Sequence, residues 1–594
     1  MHLKCRTRKK DGKIHHSWSI EESRRVGRRV VHRHVYHLGE INDSQRLAWE
    51  RSIKVLDERE GNSRQLSLFA QQHALSQNPR GDFEQVCVRP DLASVENPRQ
   101  WGACFLADWL WRELRLDGFF GARLGRSREG TDWEKVLRVL VIHRLLAPGS
   151  EWRLHRHWFG TTGLRDLLGV DESAAQDDTL YRCHDLLLAH KEALFKHLCQ
   201  RWADLFGARF EVLLYDLTST YFECDVPDDE RDPRKFGYSR DRRGDCVQVV
   251  LALVVTPDGL PLAYEMPPGN TADKTTLAAM IARIQARYGV AQRVWVMDRA
   301  VPTEETLAMM RVSNPPIHYL VGTTKARLSR LEASLVEKPF VEVREHLRVK
   351  NIAHEGETYI YVESAGRVNK ERSMRRRALR AYLARLRELA ALKRPIGRDE
   401  MLVRLGKAQE KAGRQAASLV KVEVTGEGQI KIRFAMDKLR EAWRREGRYL
   451  LRTNLAETAP DTLWLYYMQL VFVEESFRTL KGELAIRPVW HQLARRIEAH
   501  LFIAFLAYCL HTTLRQRLKA RAPGLMPRVV FEKLAGVQLV DVRIPTVDGR
   551  ELLLVRRSKL EADVRLLLAA LNLEMPEQAM TKLSEKKEEA KSGS

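Results

Sequence analysis

The sequence predicts an α/β protein built around a mixed sheet, and three observations predict it. Apolar strand-like runs at FEVLLYDLT, CVQVVLALVV and PLAYEM give way to helical spacing in ADKTTLAAMIARIQARYG. Strand and helix then alternate through RVWVMD, a short helix at about Thr303 to Met310, and IHYLVG. Sheet character resumes at RYLLRTN, and a helix from about Asp461 to Lys481 closes the series.

The order β-β-β-α-β-α-β followed by a helix is that of an RNase H-like fold, a mixed sheet flanked by helices. TPDG supplies the turn between the second and third strands, and Gly289 stops the first helix. In Gly269-Asn270-Thr271, Asn270 or Thr271 is placed to cap that helix. Upstream, IHHSWSI and RVVHRHVYHLG flank a charged turn at Glu21 to Arg29, predicting a basic N-terminal β-hairpin module and linker over 1–75. Residues 76–206 read as an all-helical domain, from runs such as WGACFLADWLWREL and DWEKVLRVLVIHRLL. The central domain would occupy 207–325 and 448–520. An α+β insertion at 326–447 would interrupt it, with YIYVES, KVEVT and KIRFAM around the basic helix ERSMRRRALRAYLARLRELAALK. HQLARRIEAHLFIAFLAYCLHTTLRQRL reads as a buried core helix, its apolar centre shorter than the roughly 20 residues of a bilayer span. Residues 521–577 form a small C-terminal accessory unit with a hairpin at Asp548-Gly549, and 578–594 have a disordered composition.

A chain of 594 residues is too long for one ordinary domain, and 44% hydrophobic with 30% charged residues is a globular composition. The N-terminus MHLKCRTRKKDGK is followed by no apolar stretch, so a soluble, cytoplasmic protein without membrane contact is expected. The 8 cysteines are dispersed without a CxxC pair, which argues against a zinc finger or a disulfide framework. His15, His16, His32, His34 and His37 lie on alternating strands without ligand-type spacing and read as a basic surface. A net charge of +22 attracts polyanions, nucleic acid first among them, although a merely solvated basic surface has the same composition.

Asp216 interrupts the apolar strand LLYDLTST, where a carboxylate is costly unless paired or bound to a cation. Asp298 terminates VWVMD. In the expected fold the first and fourth strands are parallel neighbours, so the two carboxylates converge, an arrangement that a divalent ion stabilises. Either residue alone reads better as a helix cap or as a partner of an arginine such as Arg299. Tyr467, Glu474 and Lys481 are spaced seven apart, and two helical turns return each to nearly the same azimuth. Arg478 adds a cation to that stripe. Such a helix offers one carboxylate and a row of donors suited to a phosphodiester. The plainer alternative is a solvated surface with a Glu474–Arg478 ion pair. Glu475 points about 100° away, which leaves Glu474 as the third candidate.

The segment Tyr467-x2-Leu470-x3-Glu474-x6-Lys481 resembles the Y-x2-R-x3-E-x6-K signature of bacterial insertion-sequence DDE transposases of the insertion-sequence-four superfamily. VEESFRTLKGELAIRPVWHQLARRIEAHLFIAFLA is similar to the insertion-sequence-1634 branch, as are YDLTSTYFE, PPGNTADKTTL, VMDRA and the N-terminal SWSIEESRRVGRRVVHRHVYHLGEIND. The resemblance implies that Asp216, Asp298 and Glu474 are the catalytic triad and hold two Mg²⁺ ions, with Mn²⁺ able to substitute. It also implies that Tyr467, Arg478 and Lys481 bind DNA. The implied partners are double-stranded DNA, as terminal inverted repeats and as target, and a second copy of the chain on DNA. The implied activity is hydrolysis at the element ends followed by strand transfer. Leu470 stands where the signature has Arg, and Ala300 where Gly is expected. These departures motivate the alternatives of a catalytically inactive DNA-binding derivative and of a nuclease that cuts without joining.

Overall fold

The computed structural model describes residues 1–10, 13–26, 29–61, 87–241, 243–289, 291–323, 339–392, 396–426, 429–455, 459–576 and 582–583. The chain forms two compact units. The first comprises Met1–Arg209, Leu217–Thr271 and Glu474–Ser594, and the second Phe210–Asp216 and Ala272–Val473. The expected tail at 578–594 lies outside the described residues apart from a two-residue strand, Lys582–Leu583.

In the first unit the N-terminus is a three-stranded antiparallel meander, His2–Lys10, Lys13–Val26 and Arg29–Gly39, rather than a single hairpin. The charged stretch expected as a turn from Glu21 onward continues the second strand. Charge did not end the strand at Glu21 because that carboxylate, only 2% exposed, receives Lys4 at 2.8 Å and Arg6 at 3.2 Å from the neighbouring strand.

The core of this unit is the helix Ala494–Arg521. By length and hydropathy it could cross a membrane, yet 94% of its most apolar window is buried inside the protein. Helices Gly102–Glu113, Trp133–Leu146 and Asp177–Leu187 pack on it. Phe505 meets Phe195 and Tyr264, each at 5.2 Å between ring centroids. Each large apolar side chain buried in this way contributes about 1.5–3 kcal/mol relative to exposure. The segment expected as a C-terminal accessory unit shares a sheet with the strand Ser94–Gln100, which pairs antiparallel with Gln538–Pro545. Arg99 fixes that pairing by reaching Asp541 at 2.7 Å. Within the same unit, the chain from Leu217 to Phe222 neighbours the fully buried strand Val247–Val255, which pairs antiparallel with Pro261–Glu265.

The second unit is a mixed sheet with strands in the order Val341–Arg344, Leu347–His354, Glu357–Ser364, Arg448–Thr453, His318–Gly322, Val294–Met297 and the start of Val212–Phe222. The last three are parallel and the others antiparallel. Helices Asp273–Tyr288 and Glu304–Val312 occur on either side of Val294–Met297 in the sequence. Of the strands expected within an insertion, YIYVES therefore extends the main sheet, whereas KVEVT and KIRFAM pair with each other in a separate two-stranded sheet. The reason is a buried ionic cluster, since Glu357, 5% exposed, accepts from Arg311 at 2.7 Å and also pairs with Tyr319 and Arg452. Beyond them, helices Ala365–Ala390 and Arg398–Ala417 enclose a small core of Tyr382, Leu386, Leu389, Met401 and Leu405. The second of these helices buries Met401, Leu405, Ala408 and Ala416, and three- and four-residue spacing puts the first three on one face.

Candidate active site

In the second unit, parallel pairing sets Val212 against Val294 and proceeds residue by residue to Tyr215 against Met297. The next residues in that register are Asp216, in the middle of its strand, and Asp298, just past the end of Val294–Met297. Open α/β sheets gather ligands at the carboxyl ends of parallel strands. Asp298 is exposed, and its Oδ1 accepts the Arg299 N–H at 2.7 Å.

On the other flank, Met297 lies opposite Val321, which brings Gly322 alongside Asp298. A Cβ at Gly322 would sit 2.8 Å from the Tyr467 Oη, so the absent side chain leaves room for that hydroxyl at the strand end. Tyr467 is held by an aromatic series in which its ring lies 6.5 Å from Tyr449. The Tyr449 hydroxyl accepts from the Trp464 indole at 2.8 Å, and Arg367 covers the Tyr449 ring at 4.5 Å. Burial, reinforced by the charge of Asp298, pushes the Tyr467 phenol above its ordinary range, so it remains a protonated donor.

The expected helix from Asp461 to Lys481 is divided. Pro460–Met468 and Leu470–Lys481 meet at Gln469, where Gln469 N–H donates to Tyr466 O at 3.2 Å and Phe472 N–H to Gln469 O at 2.8 Å. These bonds span three residues instead of four and tighten the turn. The one-face argument consequently holds for Glu474, Arg478 and Lys481 on the second helix but does not extend to Tyr467.

In the first unit Glu474 and Arg478 are exposed, and no ion pair joins them among the described residues. Glu475, by contrast, is half-buried and pairs with Arg515 at 3.4 Å, which separates the two neighbouring glutamates. Lys481 is not a bare cation, because its Nζ donates to both carboxylate oxygens of Asp241 at 3.1 Å, and Asp241 also pairs with Arg487. Burial, opposed by Asp241, lowers the Lys481 pKa, with Arg487 and Arg240 acting in the same direction as burial. Asp241 was missed from the sequence because SRDRRGD has charge but no periodicity that would single out one carboxylate.

The Gly269-Asn270-Thr271 segment is not a side-chain cap. The helix Asp273–Tyr288 has Ala272 at its N-cap, without a side-chain hydrogen bond. What the segment requires is the glycine, since a Cβ at Gly269 would lie 1.9 Å from Gln248 O and 2.4 Å from Lys235 O. Gly269→Ala is expected to destabilise the chain by at least about 1–3 kcal/mol, the usual range for overpacking. A urea midpoint equal to that of the wild type would refute the close approach.

The helix Ala365–Ala390 lines a groove of about 480 Å³ with Asn369, Arg372, Ser373, Arg376, Arg377 and Arg380. Three- and four-residue spacing puts these side chains on one face, and all four arginines are exposed.

Residues 219–510 match the family model described as Transposase DDE domain, which supports a DDE transposase. The match begins just past Asp216 and includes Asp298, Tyr467, Glu474, Arg478 and Lys481. A solved piggyBac transposase synaptic complex with hairpin DNA is 10% identical, with 76% of this chain and 82% of that chain covered and a TM-score of 0.34. At that level the likeness assigns no activity. No curated protein matches the chain.

Proposed function

We propose, from the likeness of residues 219–510 to a transposase DDE domain, that the chain cuts the ends of an insertion sequence and joins them to target DNA. The observation that carries the proposal is the parallel register from Val212–Val294 to Tyr215–Met297, which makes Asp216 and Asp298 the next residues on adjacent strands. Glu474, exposed and without an ion pair among the described residues, is the third carboxylate. We place the chain in the insertion-sequence-four superfamily and its insertion-sequence-1634 branch, on an RNase H-like topology, acting as a dimer on DNA in the cytoplasm.

DDE transposases generally use divalent metal ions. A set of hard carboxylate oxygens fits Mg²⁺ or Mn²⁺ and suits softer metals less well. Asp216, Asp298 and Glu474 would hold two such ions, which when bound supply an activated nucleophile and stabilise the leaving oxygen. Water first displaces the 3′ oxygen at an element end, releasing a 3′-OH and leaving a 5′-phosphate on the other fragment. That 3′-OH then displaces a 3′ oxygen of the target strand, so one phosphodiester forms as another breaks. Tyr467 donates its phenolic hydrogen to the DNA backbone, and Arg478 and Lys481 contact phosphate, with Asp241 fixing the Lys481 ammonium before DNA arrives. The arginine face of Ala365–Ala390 adds sequence-independent attraction to the duplex.

The test is metal-dependent nicking of a duplex bearing the inverted repeats of the element, followed by strand transfer from pre-cut ends. Specific binding without cleavage in Mg²⁺ or Mn²⁺ would defeat the enzymatic reading, and cleavage without joining would leave a nuclease. Within that assay, Gly322→Ala is expected to slow cleavage about as much as Tyr467→Phe, roughly tenfold or more, because the new methyl displaces the phenol. Cleavage by Gly322→Ala at the wild-type rate would remove Tyr467 from the site.

A further inference from the structure

A second group of ligating side chains lies wholly within the first unit. Glu151 begins a short helical turn, His184 is on Asp177–Leu187, His491 precedes the core helix, and His500 is on it. They are 4%, 1%, 5% and 2% exposed, respectively. His184 Nε2 is 3.2 Å and His491 Nε2 3.3 Å from the same Glu151 oxygen. One ligand atom each from Glu151, His491 and His500 lies within 4.8 Å of the others. The His491 ring is 4.7 Å from that of His184 and 5.4 Å from that of His500, between centroids.

Two features distinguish this group from an ordinary hydrogen-bonded network. Neither ring nitrogen of His184 has a hydrogen-bond partner among the described residues, although both are buried. Its 3.2 Å approach to Glu151 is therefore a close distance without hydrogen-bond direction. Atoms that converge on a shared centre meet in this way, and ligand bonds of about 2.0–2.1 Å place tetrahedral neighbours about 3.3–3.4 Å apart. Secondly, His500 Nε2 faces Ile486 O at 3.2 Å, and donation to that carbonyl leaves Nδ1 as the lone-pair nitrogen, which Arg144 Nη2 meets at 3.4 Å. Metal-bound histidines are commonly oriented in this manner.

The other charged or titratable groups at the cluster among the described residues are His143 and Arg144, both buried, and Tyr181, whose ring lies 5.8 Å from that of His491. Arg144 stands 3.4 Å from His500 Nδ1 and donates to Ala485 O at 3.1 Å. The Glu151 carboxylate offsets the charge of Arg144 beside His500. The other His and Glu grouping, His2, Glu21 and His32, differs in that its carboxylate is already engaged by Lys4 and Arg6 and its histidines are exposed.

We propose that Glu151, His184, His491 and His500 form a structural zinc site that ties the helical segment around residues 151–184 to the segment 491–500. Nitrogen donors with one carboxylate favour zinc over magnesium, which makes this site chemically distinct from the paired aspartates. The experiment is elemental analysis of full-length, untagged protein purified without chelator. Wild type and Asp298→Ala are each expected to hold about one zinc per chain, and His491→Gln to lose most of it. Because His491→Gln can fail to fold, wild type stripped by chelator is also titrated with zinc, cobalt and magnesium. Zinc is expected to raise the thermal midpoint, magnesium not to reproduce that rise, and cobalt to give a tetrahedral absorption spectrum. Folded wild type that contains no stoichiometric transition metal, and takes up none on titration, overturns the proposal. Zinc retained equally by folded His491→Gln also overturns it, since the metal is then bound elsewhere.

Discussion

Asp298→Ala is expected to abolish cleavage of element ends, by roughly 10³-fold or more, while the protein folds and binds DNA as before. That factor corresponds to about 4 kcal/mol of lost transition-state stabilisation. The split between activity and stability follows from position. Asp298 is exposed just beyond the end of its strand, and the hydrogen bond it accepts there comes from the next residue. Its removal neither empties a core nor strands a buried charge, so the thermal midpoint should change by a degree or so at most. Asp216→Ala should behave similarly in the cleavage assay. Cleavage by Asp298→Ala within tenfold of wild type, at equal DNA occupancy, would show that the aspartate pair is not the reaction centre.

The second large effect is on stability and is expected from Glu357→Ala. This carboxylate takes Arg311 at 2.7 Å and also Arg452 and Tyr319, while Arg452 continues to Glu304 at 2.8 Å. Arg452 is 4% exposed and Tyr319 fully buried. Truncation takes the buried carboxylate away from Arg452 Nε and the Tyr319 hydroxyl and leaves Arg452 with Glu304 alone, which costs about 1–3 kcal/mol. Glu357→Gln keeps two polar atoms in place and should cost less. Denaturant unfolding of both variants gives the comparison. A Glu357→Ala midpoint within error of wild type would mean that the cluster contributes nothing net. The strand His318–Gly322 carries Tyr319 at one end and Gly322 at the other, so loosening the cluster should also lower cleavage through the fraction folded.

Those two residues mark where the sequence was readable and where it was not. Asp298 stands out as a candidate because a carboxylate ending an apolar strand is conspicuous, and Asp216 because it interrupts one. Glu474 stands out as a candidate because a spacing of seven relates it to Tyr467 and Lys481, although the break at Gln469 puts Tyr467 on a separate helix. Glu357 carries no such signal, for a glutamate next to YIYV reads as the edge of a surface strand, and only long-range pairing with Arg311 and Arg452 buries it. The same limit explains why the strands before Ser364 were expected in an insertion when they extend the sheet. Gln469 is equally silent, as nothing in its neighbours opposes α-helix, and the tightened turn belongs to packing rather than propensity. Gly269 was read through its chain neighbours as a turn, whereas its role is set by carbonyls of Gln248 and Lys235, more than twenty residues away.

The Asp241 contact gives the Lys481 ammonium a fixed counterion of its own. With Arg487 on the same carboxylate, the cluster carries one net positive charge instead of two. In the proposed DNA complex a phosphate arriving there would either exchange with Asp241 or settle for the remainder, so association at this point would be a swap of anions more than a neutralisation of empty charge. Ionic strength should then act on it less steeply than a count of lysines and arginines would suggest. Selectivity follows from the same swap: weakly held, diffuse anions do not displace a bidentate carboxylate, and a phosphodiester positioned by the rest of a bound duplex can.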